Sequence, residues 1–246
     1  MALRAMFNDA ASGKAGRLIE RNPFANLGLR KTAGNARKLP PDEDAMWGLL
    51  GHARELTPPS FAAWLEVACF TAARPGELDA LRKTAIDYAA GEIVIVEQWN
   101  AKTRTFTLPK YGPYTLALVD HARETLLGLK RDELAASSPF VFTTLRGTHY
   151  TPSSRTHHWN RVRAAAGLGH TTLYLATRHY FGWYATNVLE LPPDVVAHQL
   201  GHKDGGKLVA QLYGHLEGRV ARRRIRDAFA ATGQVKPLRI VGEDTG

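Results

Sequence analysis

The sequence predicts a mainly helical fold with a small block of β structure set into it. Three observations carry that prediction. Apolar residues recur at three- and four-residue spacing through the first third and again through the last third of the chain. Between them, Ile93-Val94-Ile95-Val96 is a short apolar run of strand length, and Thr103 to Leu108 and Tyr114 to Leu118 alternate. Pro109-Lys110-Tyr111-Gly112 makes a turn between the last two. The 246 residues suffice for one large domain, or for a domain with a small piece attached.

Composition narrows the function. Lys and Arg number 32 against 23 Asp and Glu, a formal charge of +9, which favours a polyanionic partner. Cys69 is the only cysteine and stands in an apolar run, so neither a disulfide framework nor a cysteine-based zinc cluster is available. No apolar run reaches about 18 residues and the N-terminus lacks a signal-peptide core, so a soluble, cytoplasmic protein is expected.

Taken in order, residues 1 to about 20 read as one helix with Leu3, Met6, Phe7, Ala10 and Ala11 on one face, ended by Asn22-Pro23-Phe24. Leu27 to Pro41 is polar and basic, with Arg30, Lys31, Arg37 and Lys38, and reads as a linker. Pro41-Asp42-Glu43-Asp44 starts a helix with acids in its first turn, and Met46, Leu49, Leu50 and Ala53 form its apolar face. A helix after Pro58-Pro59 places Phe61, Trp64, Leu65, Ala68 and Cys69 at core spacing. Val119 to Lys130 is amphipathic, and Pro139 to Thr143 reads as a short buried strand before a turn at Arg146-Gly147. Ser153 or Ser154 can cap a helix to about Ala166, with Trp159 and Val162 inward and Arg155, His157, His158, Arg161 and Arg163 on its polar side. A last helix, Glu217 to Ala231, turns Ala221, Ile225, Ala228 and Phe229 inward, and the tail from Thr232 is loose.

The chemistry concentrates between Thr172 and His215. Thr177-Arg178-His179-Tyr180 lies in a helical run from Leu173 to Val188. Gln199-Leu200-Gly201-His202 follows the Pro192-Pro193 pair, and Tyr213-Gly214-His215 comes next. A guanidinium meets two phosphate oxygens at once and keeps its charge. An imidazole adds a hydrogen bond, and a phenol attacks once its proton has somewhere to go. That set suits attack on a phosphodiester with no metal or other cofactor. His198 and His202 share the spacing of a metalloprotease motif, but Gln199 stands where a glutamate base is needed. Lys203-Asp204-Gly205-Gly206 reads as a flexible turn ahead of the tyrosine segment.

Thr177-Arg178-His179, Leu200-Gly201-His202 and Tyr213-Gly214-His215, in that order, resemble the second half of the signature of tyrosine recombinases, the phage integrase family. Upstream, Thr71-Ala72-Ala73-Arg74-Pro75-Gly76-Glu77-Leu78 resembles that family's first arginine box, with Ala72 where glycine is usual. Lys110-Tyr111-Gly112-Pro113-Tyr114-Thr115-Leu116-Ala117-Leu118 is similar to its lysine hairpin, with Tyr114 where arginine is usual; Lys102 is the reserve for Lys110. The stretch from Phe7-Asn8-Asp9-Ala10 to Asn22-Pro23-Phe24 resembles the end of a DNA-clamping core-binding domain, which implies either a fragment or a short gene.

The resemblance implies a mainly α catalytic domain with a small antiparallel β-sheet over 41–231, a remnant helix and linker over 1–40, and a flexible tail over 232–246. It implies a site-specific recombinase acting on double-stranded DNA as a homotetramer. Arg74 and Arg178 would grip the phosphate, His202 would add a hydrogen bond, Lys110 would protonate the leaving oxygen, and Tyr213 would form a 3′-phosphotyrosyl link. Glu77 would hold the surroundings of Arg74, and the last helix would pack on a neighbouring subunit. The family's usual histidine three positions before the second arginine is replaced by Leu175. Lys110, His202, a water or Tyr174 would then handle the nucleophile's proton, and His179 reads as a packing residue. Rival readings are a type IB topoisomerase, a catalytically weakened DNA-binding relative, and a helix-turn-helix regulator built on Asp194 to Gly201.

Overall fold

A computed structural model describes residues 2–12, 17–23, 39–129, 138–214 and 218–231. The chain divides into two compact units, Met1–Leu39 and Pro40–Gly246. The first contains helix α1 (Ala2–Ser12), shorter than the apolar spacing predicts. The helix ends where the Ser12 hydroxyl turns back to Asp9 O at 2.9 Å. Leu18 N and Ile19 N both reach back to Ala10 O, so residues 17–23 run alongside rather than continue it. The basic stretch as far as Lys38, His215, and the tail from Thr232 lie outside the described residues.

The second unit is built around α3 (Pro59–Thr71). Its apolar residues surround the axis rather than forming a stripe, and Phe61, Trp64, Leu65, Val67 and Cys69 are all buried, the pattern of a helix enclosed on all sides. Helix α2 (Glu43–Leu56) packs on it with the predicted face. The carboxylate of Asp42 accepts from Ala45 N at 2.9 Å and so satisfies a free first-turn amide. Helix α5 (Asp120–Leu129) covers another side. Ala72 ends α3 in the left-handed region at φ 59°, the position where the family pattern has glycine. The chain then re-enters helix as α4 (Pro75–Ala80).

The β structure is two small antiparallel sheets. Strands β1 (Ile86–Asp87), β2 (Glu92–Ile95) and β5 (Tyr114–Ala117) form one, in the order β1-β2-β5, with Ile93 opposite both Ile86 and Leu116. Strands β3 (Gln98–Asn100) and β4 (Thr105–Thr107) form a separate ribbon, inserted between β2 and β5, with Trp99 opposite Phe106. The alternation over Thr103 to Leu108 thus marks a real strand, but one paired within its own hairpin. Strands β1 and β3 are too short for a period of two to register. Pro139 to Thr143 is not a strand: only single bridges tie it, Arg82 to Phe140 and Thr143 to His149.

Helix α6 (Pro152–Ala165) is capped by Thr151, whose side chain and Ser154 exchange bonds, rather than by Ser153 or Ser154 alone. Arg155 departs from the predicted polar face. It is 8% exposed, its Nε lies 3.0 Å from Asp79 Oδ2, and its guanidinium stacks 5.2 Å from the Trp64 ring. Positions 155, 159 and 162 share one helical face, so Arg155 goes inward with Trp159 and Val162 and requires a buried carboxylate.

After a π-turn at Leu175–His179 come α7 (Tyr180–Asn187), α8 (Pro193–Gln199) and α9 (Lys207–Tyr213). They close a second, smaller core of Ala72, Ala185, Val196, Ala197, Leu200, Val209 and Tyr213. Helix α10 (Gly218–Ala231) contradicts its predicted inward face: Ile225 is 59% and Phe229 71% exposed. Periodicity identifies residues that share a face, but not whether the same chain covers them. No helix among the described residues is long and apolar enough to cross a membrane.

Candidate active site

Arg74 is presented by the break between α3 and α4. The left-handed turn at Ala72 and the proline at the first position of α4 leave it in extended backbone at φ −69°, ψ 147°. Glu77 then fixes it from both sides. One carboxylate oxygen accepts from Arg74 N at 2.7 Å and the other from Nη1 at 2.9 Å. Glu77 is fully buried, and Tyr114 from β5 donates its hydroxyl to the same carboxylate at 2.7 Å. Burial works against the charge on Arg74, but Glu77 outweighs it, so the guanidinium holds its proton more tightly than usual.

Arg178 comes from the π-turn and is 2% exposed. Its Nη1 donates to Ala72 O at 2.7 Å and its Nη2 to Leu200 O, so one guanidinium staples the first arginine box to the segment that carries His202. Burial and then the charge of Arg74 lower its pKa, which places the two guanidinium groups within electrostatic reach of each other. A guanidinium has five N–H groups, so donors remain for a ligand. His202 lies close enough for both arginines to act on it. Burial and then Arg178 depress its pKa, with Asp204 acting in the opposite direction, so at neutral pH it stands as neutral imidazole. Among the described residues, its Nδ1 is buried without a hydrogen-bond partner.

Arg74, Tyr114, His198 and His202 line a pocket of about 350 Å³ whose far wall is Pro109 and Tyr111. Arg74 and His202, predicted separately, therefore line one pocket; Arg178 does not line it, but bonds the carbonyls of Ala72 and Leu200, two residues before each. Lys110 sits at the pocket's rim: it is exposed, between two lining residues, with Nζ 5.0 Å from the Tyr111 ring centroid. Lys102 is exposed in the turn of the β3–β4 hairpin. Tyr213 does not face the pocket. It is 9% exposed in the smaller core, with its hydroxyl 2.7 Å from His179 Nδ1. Its ring lies against Gly182, where an added Cβ would come within 2.4 Å.

Three roles were missed from the residues alone. His179, read as a packing residue, hydrogen-bonds the predicted nucleophile; only its place beside Arg178 could have hinted at this. Tyr114 orients Arg74 through Glu77. Gln199, noted as a missing catalytic base, instead ties β5 to α3: its amide donates to Thr71 O and Ala117 O and accepts from Ala117 N. The predicted flexible turn is stitched by Asp204, which accepts from Gly206 N and Leu208 N. A Cβ on Gly206, at φ 87°, would lie 2.7 Å from the backbone of Pro193 and Asp194.

In electrostatic terms, the Arg74 and Arg178 guanidinium groups outnumber the buried Glu77 carboxylate, and Lys203 also lines the pocket, so the site is net positive. A phosphodiester carries one negative charge, and arginine forks suit its two free oxygens.

The profile described as the phage integrase family matches residues 43–219. A protein of Escherichia coli (strain K12) named "Putative defective protein IntQ" is 28% identical over 176 residues, covering 60% of this chain. This chain spans only 43% of that relative's length. Among solved structures, the Tn1549 transposon integrase in complex with transposon right end DNA superposes with a TM-score of 0.74 at 17% identity, covering 92% of this chain and 76% of that one. A lambda integrase tetramer bound to a Holliday junction gives a TM-score of 0.59 at 20% identity, covering 85% and 56%. The XerA recombinase gives 0.61 at 16%, covering 79% and 66%. The likeness to these structures is one of fold: a mainly helical domain with small antiparallel sheets.

Proposed function

Because this chain belongs to the phage integrase family, we propose that it is a site-specific recombinase that cuts and rejoins double-stranded DNA through a 3′-phosphotyrosyl intermediate. The observation that carries this reading is the pocket that Arg74 and His202 share, with Arg178 bonded to the carbonyls of Ala72 and Leu200, two residues before each of them. Arg74 and Arg178 take the two non-bridging oxygens, and His202 donates a further hydrogen bond. These donors are held in place before substrate arrives, Arg74 by Glu77 and Arg178 by two carbonyls, so little reorganisation is needed as charge builds on the phosphate. Tyr213 is the nucleophile and Lys110 the acid for the departing 5′ oxygen, with Lys102 in reserve. The covalent link keeps the energy of the broken bond, so rejoining needs no nucleotide cofactor.

Tyr213 must leave its seat against Gly182 for this to happen. The glycine pair at 205 and 206, both at positive φ, is the nearest place for α9 to pivot. Strand exchange calls for several subunits on one DNA; the lambda integrase tetramer on a Holliday junction supports a homotetramer here.

The test is covalent capture. Nicked duplexes randomised across the cleavage region are incubated with the protein, and complexes that survive detergent are collected. The reading expects an adduct, absent in Tyr213→Phe and reduced by at least about 10²-fold in Arg74→Ala or Arg178→Ala. Duplex binding without any adduct would instead mark a DNA-binding relative that has lost catalysis. Adducts on every duplex without sequence enrichment would mark a topoisomerase-like enzyme.

A further inference from the structure

The nucleophile's proton needs an acceptor. A free phenol loses its proton only near pH 10, so at neutral pH a tyrosine nucleophile must hand it to an acceptor before it bonds to phosphorus. Tyr213 is 9% exposed, which limits how much water can serve. Leu175, at the position where the family pattern has histidine, cannot serve at all.

We infer that His179 is the base that takes the Tyr213 proton. This rests on the strand-transfer reading above and adds a catalytic residue to it. His179 Nδ1 lies 2.7 Å from the Tyr213 oxygen, the distance of a direct proton transfer. The seat around that bond is built. His179 and Gly182 are three residues apart and share one helical face. The first meets the hydroxyl, and the second lacks a side chain, so the ring can lie against the backbone. Tyr174 stands edge-on to the imidazole at 5.1 Å and 75°.

The backbone explains why the base comes from this position. In the π-turn, Tyr180 N reaches Leu175 O, five residues back, instead of the usual four. More residues per turn means less rotation per residue, so His179 turns less far away from Arg178 than in an ordinary helix. One turn thereby presents a phosphate-gripping guanidinium and an imidazole aimed at α9. The titratable groups in contact with it include the phenols of Tyr174 and Tyr213, and Arg178 precedes it in the chain.

The step balances. The Tyr213 proton passes to His179 Nδ1 while the ring is in its seat, the phenolate is carried to the phosphate as α9 pivots, and it forms the P–O bond. The P–O5′ bond breaks, and the leaving oxygen takes a proton from Lys110. On rejoining, the 5′-hydroxyl gives its proton to Lys110, attacks phosphorus, and the departing phenolate recovers its proton from His179.

Two measurements test this. The first uses the free protein: ¹⁵N shifts of the His179 ring above its titration range. A bare Nδ1 with the proton on Nε2 is expected. A proton on Nδ1 would make His179 the donor and overturn the inference. The second uses a nicked duplex selected by covalent capture, with His179→Gln and His179→Asn, which keep a hydrogen bond but accept no proton. Adduct formation at pH 7 should fall about 10²-fold or more, with duplex affinity unchanged. The rate should then climb about tenfold per pH unit toward the phenol range as hydroxide takes over, whereas wild type levels off above the imidazole range. Variants that match wild type in rate and pH profile, or exceed it, overturn the inference while leaving the recombinase reading intact. No adduct from wild type on any duplex overturns both.

Discussion

Arg74 depends on two neighbours that never touch substrate in this account. Glu77 holds both its backbone and its guanidinium, and Tyr114 holds Glu77. Tyr114→Phe keeps the ring that packs against Gly201 but removes the hydroxyl. We expect a stability loss of about 1 kcal/mol in urea unfolding and a larger effect on adduct formation, about tenfold, because Arg74 loses its orientation. A loss of stability with no change in rate would separate Tyr114 from Arg74. The second buried pair predicts a pH effect. Burial pushes the Asp79 carboxyl up to about 7, with Arg155 opposing. An unfolded aspartate titrates near 3.9, so the folded pKa is the higher one. The wild type therefore loses stability as pH rises from about 4 through 7. Arg155→Met removes the opposing charge and extends that loss upward. Its cost should be small at pH 5 and about 3 kcal/mol at pH 8; an equal cost at both would exclude a charged Asp79. At this scale the closeness of Arg74, Arg178 and His202 was legible, since each stands inside an ordered motif. Arg155 and His179 were not. Their partners, Asp79 and Tyr213, lie 76 and 34 residues away along the chain, and no local pattern encodes such a pairing.

Among the elements, the short ones carry the site: the left-handed end of α3, the π-turn, and α9. Gly182→Ala tests how α7 and α9 fit. A Cβ there would lie 2.4 and 2.7 Å from ring atoms of Tyr213, so the tyrosine must shift out of its seat. We expect a stability loss of about 1–3 kcal/mol and faster nitration of Tyr213, located by mass spectrometry. Unchanged nitration would mean the ring does not rest there. The long helices α2, with a consistent apolar face, and α3, apolar all round, were readable because many positions repeat one signal. Strands β1 and β3 and the π-turn were not, because each holds too few residues to show a period. Their geometry comes from what packs around them.

The whole molecule carries +9, an excess that favours the polyanionic partner proposed above. If about half of it faces the duplex, four or five phosphates are neutralised. Affinity should then fall with salt at a log–log slope of about −4. A slope near zero would place the charge elsewhere and weaken the nucleic-acid reading. The order of the motifs made the fold and the arginine pocket legible at this scale. The exposed Ile225 and Phe229 of α10 show where that legibility stopped, because a single chain's sequence does not say which surface a neighbour covers.

The central claim is that one phosphodiester meets Arg74, Arg178, His202 and Tyr213 together, and it is tested most directly by finding where DNA becomes attached. Protein captured on a nicked duplex is digested, and the DNA-bearing peptide is sequenced by mass spectrometry. The account predicts a 3′-phosphate ester on Tyr213, with a free 5′-hydroxyl on the released strand. Attachment at another residue, or through a 5′-phosphate, would contradict it.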